Sequence, residues 1–247
     1  MAKEKTNDTV LAICIQEIKE DGSELRIYDV LRAEDIEFLH QAFIADTIVN
    51  ITDLSLVDFH LFYGDSPKTN KAVKIIIKYL DEKLGSKKGQ ALKDRLKITK
   101  LKPERWGLKM EHIFNQCFKD GYKHVLLIGS RTPTLKSDRL NLALKLLKNS
   151  DAVFGPTVEG RYYLIGLSGQ YHFNLSDFDW SSPTIYSEVA NRFREQGLTW
   201  SELEIWYTVE NHDALEFLVR DINQYRFEGD EVSAKETEMV LGRILNR

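Results

Sequence analysis

Residues 121–135 read GYKHVLLIGSRTPTL and residues 151–167 read DAVFGPTVEGRYYLIGL, and these two stretches decide the fold. The run HVLLIG predicts a buried strand that stops at a Gly-Ser-x-x-Pro turn. Residues 137–148 carry leucine and alanine at helical spacing, and DAVFGP and YYLIGL predict two more strands around a polar loop, residues 157–161. Strand, helix and strand with short connections are the unit of an open α/β sheet.

Ligands of open α/β sheets usually bind just beyond the carboxyl ends of the strands. Ser130 and Arg131 follow the first of these strands, and Glu159 and Arg161 lie in the polar loop between the other two. We therefore expect these four side chains to lie near one cleft.

The rest of the chain continues the α/β pattern. Residues 9–16 (TVLAICIQ) form a near-continuous apolar run, which is typical of a central parallel strand covered on both faces. Asn211 predicts a cap for one late helix, and Ser233 with Glu236 predicts a capping box for the last. We expect one domain, residues 1–247, with further strands at 54–63, 96–101 and 201–209 and further helices at 33–48, 70–84, 106–119, 182–196, 211–220 and 234–245.

The composition is that of an ordinary globular protein, with 43% hydrophobic and 29% charged residues. The net charge of −4 gives no reason to expect a nucleic-acid partner. Cys14 and Cys117 make neither a disulfide framework nor a zinc signature, which favours a reducing, cytoplasmic location. The apolar run at residues 10–15 is too short for a signal-peptide core or a membrane span. Nothing in the sequence specifies an oligomeric state.

Residues 87–105 are rich in lysine and arginine and contain few acids. One interpretation is a basic lip that steers anionic ligands toward the cleft. The other interpretation, which we favour, is a solvent-exposed surface segment without a binding role, because dispersed lysines rarely mark a site.

Three phrases together, residues 121–135, 151–167 and 177–198 (DFDWSSPTIYSEVANRFREQGL), resemble a bacterial family of nucleotide-diphospho-sugar-transferase-like proteins of the radical-SAM/selenodomain-associated type. The resemblance covers most of the chain, roughly residues 10–218. It implies a GT-A-type fold, which is a three-layer α/β/α, Rossmann-like fold with a mostly parallel central sheet. Relatives of the family include guanylyltransferases of cofactor synthesis and GT-A glycosyltransferases.

The chain departs from the family pattern in three motifs. The family's Gly-Ser-Asp-x-Pro motif carries an aspartate that looks like a ligand for a divalent cation, and here that position is Arg131. The family's Asp-Gly-Gly-Tyr-Tyr corresponds to residues 159–163, which read EGRYY, and its Asp-Val-Asp to residues 208–210, which read TVE.

Two further family motifs are reduced. The basic first loop of the family retains only Gly22 and Arg26, and the Leu-Gly-x-Arg motif retains Gly107, with Lys109 at its arginine position.

Replacing a ligand aspartate by arginine removes an oxygen donor and places a fixed positive charge where Mg²⁺ or Mn²⁺ would bind. An arginine fork can itself hold phosphate oxygens in a bidentate way. Arg131 and Arg161, with the turn at Gly129 and Ser130, are therefore candidates for binding phosphate without a metal. The alternative is an ion pair between Arg131 and Glu159 across a degenerate cleft.

Glu159 and Glu210 are the candidate catalytic carboxylates and the candidate ligands of Mg²⁺ or Mn²⁺, the alternative being two ordinary surface carboxylates. Tyr162, Trp180 and Ser181 are candidate substrate contacts. For Tyr162 the alternative is core packing, and for Ser181, or its neighbour Ser182, it is the cap of the following helix.

The resemblance leaves two functions open. The first is a nucleotide-dependent transferase that moves a glycosyl or nucleotidyl group from a nucleotide or nucleotide sugar through an altered metal site. The second is a catalytically degenerate GT-A-like protein that acts as a binding or scaffold module.

Overall fold

The computed structural model describes residues 7–15, 31–64, 66–82, 86–102, 104–169 and 174–245, and they form a seven-stranded sheet with helices on both faces. The strands are Thr9–Ile15 (β1), Asp58–Gly64 (β2), Leu96–Leu101 (β3), His124–Gly129 (β4), Ala152–Pro156 (β5), Tyr162–Ser168 (β6) and Trp200–Glu202 (β7). The helices are Ala33–Ile51 (α1), Pro67–Glu82 (α2), Ser86–Arg95 (α3), Trp106–Lys119 (α4), Ser137–Leu147 (α5), Ile185–Glu195 (α6), His212–Phe227 (α7) and Lys235–Leu245 (α8). Gly22 and Arg26, which the resemblance assigns to the basic first loop, lie outside the described residues.

The strand order is β3-β2-β1-β4-β6-β5-β7. β1 pairs in parallel with β2 and with β4, and β6 is the strand that runs antiparallel to both of its neighbours. The prediction of a three-layer, mostly parallel, Rossmann-like sheet is therefore confirmed. The parallel strands bring the carboxyl ends of β1 and β4 to the same edge of the sheet.

The apolar run of β1 is continuous because helices cover both faces of this strand. Its alternate residues Leu11 and Ile13 pack in one core cluster with α1, α2 and α5, whereas Val10 and Ala12 pack in a second cluster with α4 and α6. The two tyrosines at the start of β6 lie on opposite faces of the sheet, as the alternation of side chains along a strand predicts. Tyr163 is buried in the first cluster and Tyr162 packs against the second.

The basic segment at residues 87–105 forms α3 and the edge strand β3, the latter at the predicted residues 96–101. Lysines on an edge strand oppose pairing with another sheet, because each would bury a charge. Lys100 is exposed, and the Lys97 ammonium lies 2.5 Å from Oδ2 of Asp120. Lys97 is thus paired with the C-cap residue of α4, and Lys100 lies on the exposed edge strand.

The strand predicted at residues 201–209 is wrong for most of its length. β7 ends at Glu202, and Glu204 and Ile205 are exposed. The chain then rejoins the sheet at one isolated bridge, where the Trp206 N–H donates to the Pro156 carbonyl oxygen at 3.0 Å. This irregular path carries residues 207–210 from the sheet edge toward the carboxyl end of β4.

None of the helices that the structure describes combines the length and the apolar character that a membrane crossing requires.

Candidate functional site

A cleft of about 900 Å³ opens at the carboxyl ends of β1 and β4, where the sequence predicts a site. The start of α4, the segment of residues 176–181 and the segment of residues 208–210 supply much of the remaining wall. Seven of the nine predicted site residues line this cleft, namely Gly129, Arg131, Arg161, Tyr162, Trp180, Ser181 and Glu210.

Two arginines share one carboxylate on the wall of the cleft. Nη1 of Arg131 lies 3.6 Å from Oε1 of Glu210, and Nη1 of Arg161 lies 3.1 Å from Oε2 of the same residue. The Arg131 side chain is 5% exposed, whereas that of Arg161 is 46% exposed. One guanidinium is therefore fixed in the protein and the other is open to solvent.

Backbone contacts fix the position of Glu210. The preceding residue, Val209, donates its N–H to the carbonyl oxygen of Arg131 at 2.9 Å. The following residue, Asn211, caps α7 as predicted, because its Oδ1 accepts from the Ala214 N–H at 2.8 Å. The backbone is thus anchored on both sides of Glu210, while the Glu210 side chain extends to the two arginines.

A tight turn between β5 and β6 presents Arg161. Thr157 and Arg161 close the turn, since the Thr157 N–H donates to the Arg161 carbonyl oxygen at 2.8 Å. Gly160 has a φ of +75° and lies so close to Pro183 that a Cβ would meet the Pro183 carbonyl oxygen at 2.7 Å. Only glycine fits this position without strain. The turn therefore packs directly on the segment before α6.

Glu159 lies exposed in this turn and is not among the residues that line the cleft. The alternative prediction, an ion pair between Arg131 and Glu159, is wrong. Arg131 does face a carboxylate, but it is that of Glu210. The cause is the irregular path after β7, which brings Glu210 to the end of β4. The catalytic role of the two glutamates stays a prediction.

The described residues hold no cluster of side chains that would bind a divalent cation by itself. Mg²⁺ and Mn²⁺ prefer several oxygen ligands, yet both oxygens of Glu210 face guanidinium groups. Within the part of the chain that the structure describes, no group of three or more His, Cys, Asp or Glu side chains could hold a metal ion.

Ser130 lies behind the wall of the cleft, where His40 contacts it. Its hydroxyl is fully buried and lies 3.1 Å from Nε2 of His40, on α1. Burial, with the nearby charge of Arg131, lowers the pKa of His40 to about 3, so this histidine is neutral. Sequence analysis missed His40, because a single histidine on a helix gives no signal of what it contacts.

Trp180 forms an aromatic part of the wall and is fixed by its own indole N–H, which donates to the Leu175 carbonyl oxygen at 2.7 Å. Its ring lies 5.9 Å from that of Tyr162, whose hydroxyl donates to the Tyr186 carbonyl oxygen at 3.1 Å. Gly107, retained from the Leu-Gly-x-Arg motif, faces this indole. Tyr162 and Trp180 are thus held by their polar atoms, with their rings against one another.

Ser181 lines the cleft beside Asp179. Its N–H and its hydroxyl both donate to Oδ1 of Asp179, at 3.0 and 2.5 Å, and these bonds lower the pKa of that carboxyl. The prediction that Ser181 or Ser182 caps α6 is wrong, because the N-cap is Thr184 and its side chain makes no capping hydrogen bond.

Comparison with known proteins confirms the resemblance. Residues 65–182 match the model of a family described as "Uncharacterized protein conserved in bacteria (DUF2064)". No curated protein sequence gives a significant match. Among solved structures, a provisionally assigned nucleotide-diphospho-sugar transferase from Desulfovibrio desulfuricans G20 is 21% identical and has a TM-score of 0.74, with 97% of this chain and 99% of that chain covered.

Two structures of established classes are more distant. A cytidylyltransferase from Leptospira borgpetersenii is 9% identical, has a TM-score of 0.51, and is matched over 92% of this chain and 98% of its own. The mannosyltransferase PcManGT from Pyrobaculum calidifontis, solved with GDP-Man and Mn²⁺, is 11% identical, has a TM-score of 0.50, and is matched over 96% of this chain and 75% of its own. At these identities the likeness shows the fold, which is of the GT-A type.

Proposed function

We propose that this chain, as one domain, is a nucleotide-dependent transferase that moves a glycosyl or nucleotidyl group from a nucleotide or nucleotide-sugar donor. The observation that carries the proposal is the single cleft in which Arg131 and Arg161 stand at the carboxyl end of β4. Open α/β sheets bind their ligands at this edge. The fold shared with a cytidylyltransferase and a mannosyltransferase supports the same class of donor.

In this proposal the two arginines take over charge neutralisation from the metal. Group transfer from a diphosphate requires that the negative charge on the leaving group be stabilised, and a guanidinium pair supplies two positive charges and paired N–H donors. Arg131 is buried and fixed, so it would position the diphosphate. Arg161 is half-exposed and would close on it. Donor binding then proceeds without Mg²⁺ or Mn²⁺.

A catalytically degenerate binding protein remains the second candidate. It is favoured by the engagement of Glu210, since a carboxylate whose two oxygens face guanidiniums is poorly placed to act as a base. The cytoplasmic location expected from the two cysteines, which are both buried and not joined by a disulfide, also stays a prediction.

A thermal-shift screen tests the proposal. Purified protein is heated with nucleotides and nucleotide sugars, each with Mg²⁺, with Mn²⁺ and with chelator. A ligand at a hundredfold excess over its Kd stabilises the folded state by about 2.7 kcal/mol, which is readily visible. We expect a hit that persists in chelator, followed by release of a nucleoside diphosphate or pyrophosphate when acceptors are added. Binding without any turnover would favour the second candidate, and no shift with any nucleotide would contradict the proposal.

A further inference from the structure

We infer that Glu210 is an internal occupant of an anion site formed by Arg131 and Arg161, and that a phosphate group of the ligand displaces it. This inference rests on the proposed function and assigns Glu210 a role opposite to that of a metal ligand. The ligand class is a phosphate or diphosphate group that arrives without a cation.

The first observation is that one carboxylate serves two guanidiniums. The Glu210 oxygens face Arg131 at 3.6 Å and Arg161 at 3.1 Å, so one carboxylate lies beside both cations. Two guanidiniums that share one carboxylate repel each other, and the carboxylate relieves this repulsion while no ligand is bound. A phosphate group would do the same with more charge and more acceptor oxygens.

The second observation is that the contacts of Glu210 are ones that a ligand can replace. Its distance of 3.6 Å from Arg131 is longer than a hydrogen bond, and its side chain is 24% exposed at the cleft. The 46% exposure of Arg161 leaves that guanidinium room to follow an incoming anion. The exposed Arg161 contact is a weak one, and a phosphate dianion that replaces Glu210 keeps the buried Arg131 paired.

The third observation is that displacement requires movement of the side chain alone. Val209 is bonded to the Arg131 backbone and Asn211 caps α7, so the backbone on either side of Glu210 is anchored. A change of the Glu210 rotamer would open the anion site while α7 and β4 stay in place. The arginines would then remain at the positions that the empty protein has already set.

The direction in which one substitution changes the affinity for pyrophosphate distinguishes this role from that of a metal ligand. Glu210→Gln keeps the size of the side chain and removes its charge, so the arginines lose their internal anion. Pyrophosphate should then bind about tenfold more tightly than to the wild-type protein, because a competing charge in direct contact has been removed. A metal ligand would give the reverse, with weaker binding that is seen only when Mg²⁺ or Mn²⁺ is present.

The experiment is calorimetric titration of inorganic pyrophosphate into the full-length protein with chelator and again with Mn²⁺. Glu204→Gln is the matched control, because Glu204 also pairs with an arginine, Arg139 at 3.3 Å, but does not line the cleft. We expect the tenfold gain for Glu210→Gln and no change for Glu204→Gln. Glu210→Asp, which keeps the charge on a shorter arm, is a second variant and should give a smaller gain.

The outcomes separate this inference from the proposed function. If nucleotides bind the wild-type protein but Glu210→Gln and Glu210→Asp bind pyrophosphate no more tightly, the internal occupant is refuted and the transferase proposal stands. If both variants gain affinity for pyrophosphate but no nucleotide binds, the anion site stands and the transferase proposal is lost.

Discussion

The carboxylate of Asp46, on α1, accepts the backbone N–H groups of Thr237 at 2.8 Å and Glu236 at 3.1 Å, at the start of α8. A helix begins with unsatisfied N–H groups, and here a residue 191 positions away satisfies two of them. The capping box predicted for Ser233 and Glu236 is therefore wrong. The Ser233 hydroxyl donates to Oδ2 of Asp230 instead, at 2.7 Å.

Asp46→Ala should lower the free energy of unfolding by about 1–2 kcal/mol, because it leaves two N–H groups in a buried place without their acceptor. Ser233→Ala should cost less, about 0.5–1 kcal/mol, since it removes one ordinary hydrogen bond. Urea unfolding at neutral pH measures both. Equal costs for the two variants, or a larger one for Ser233→Ala, would contradict the capping role of Asp46.

The protein should lose stability in acid because of two buried histidines. Burial, with the charge of Arg131, lowers the pKa of His40 to about 3, and burial, with the charge of Lys97, lowers that of His60 to about 4. Below pH 6.5 these histidines are protonated in the unfolded chain but stay neutral in the folded one. Their contribution to the free energy of unfolding is therefore present above pH 6.5 and is lost as the pH is lowered. Each histidine contributes about 1.4 kcal/mol per pH unit.

Asp46 opposes this trend over part of the range. Burial raises the pKa of its carboxyl from 3.8 to about 6, so its contribution to stability is present below pH 3.8 and is lost as the pH rises through 6. Between pH 6 and pH 4 the two histidines outweigh the one aspartate, so the free energy of unfolding should fall as the pH is lowered through this range. His40→Gln should flatten the urea-derived profile relative to the wild-type protein. A profile that is equally steep in His40→Gln would show that His40 does not resist protonation.

Gly107→Ala should displace Trp180 from the cleft wall. A Cβ at this position would lie 2.7 Å from the Leu175 carbonyl oxygen and 3.0 Å from Nε1 of Trp180, which is too close for both. We expect a loss of about 1–3 kcal/mol of stability and a changed tryptophan emission spectrum. Gly242→Ala is the matched control, since Gly242 has open space around it within α8 and alanine should stabilise the helix by up to about 1 kcal/mol. Unchanged emission in Gly107→Ala would mean that Trp180 is not held by this contact.

Gly160→Ala should move the turn that carries Arg161. Gly160 and Gly197 both have positive φ, +75° and +67°, but a Cβ meets Pro183 only at Gly160 and meets nothing within 4 Å at Gly197. Gly197→Ala should therefore cost the backbone strain alone, about 1 kcal/mol, and Gly160→Ala a further penalty from the clash. Pyrophosphate affinity should fall in Gly160→Ala and persist in Gly197→Ala. Equal pyrophosphate affinity in the two variants would show that this turn does not position the anion site.

Most of the fold could be predicted from local patterns. The apolar runs of β1 and β4 and the stripe of α5 carry their own periodicity, and their order fixes a parallel sheet. The cleft residues Arg131 and Arg161 were predicted because they follow strand ends, which topology brings to one edge.

The contacts that could not be predicted join distant parts of the chain. Nothing local to Glu210 shows that the chain leaves the regular strand after Glu202 and brings Glu210 to Arg131, and the expected partner, Glu159, is nearer in sequence. The same holds for Asp46, which caps a helix far along the chain, and for His40 beside Ser130. Side-chain partners of this kind depend on tertiary packing, which periodicity does not encode.

The central claim is that the arginine pair binds the phosphates of a nucleotide without a metal. Its most direct test is titration of the best nucleotide from the thermal-shift screen into wild-type protein, Arg161→Ala and the exposed control Arg243→Ala, all in chelator. Removing one guanidinium from a phosphate should weaken binding by about 1.5–3 kcal/mol, which is more than tenfold, and Arg243→Ala should bind like the wild type. Full affinity in Arg161→Ala, or binding that appears only with Mg²⁺ or Mn²⁺, would contradict the claim.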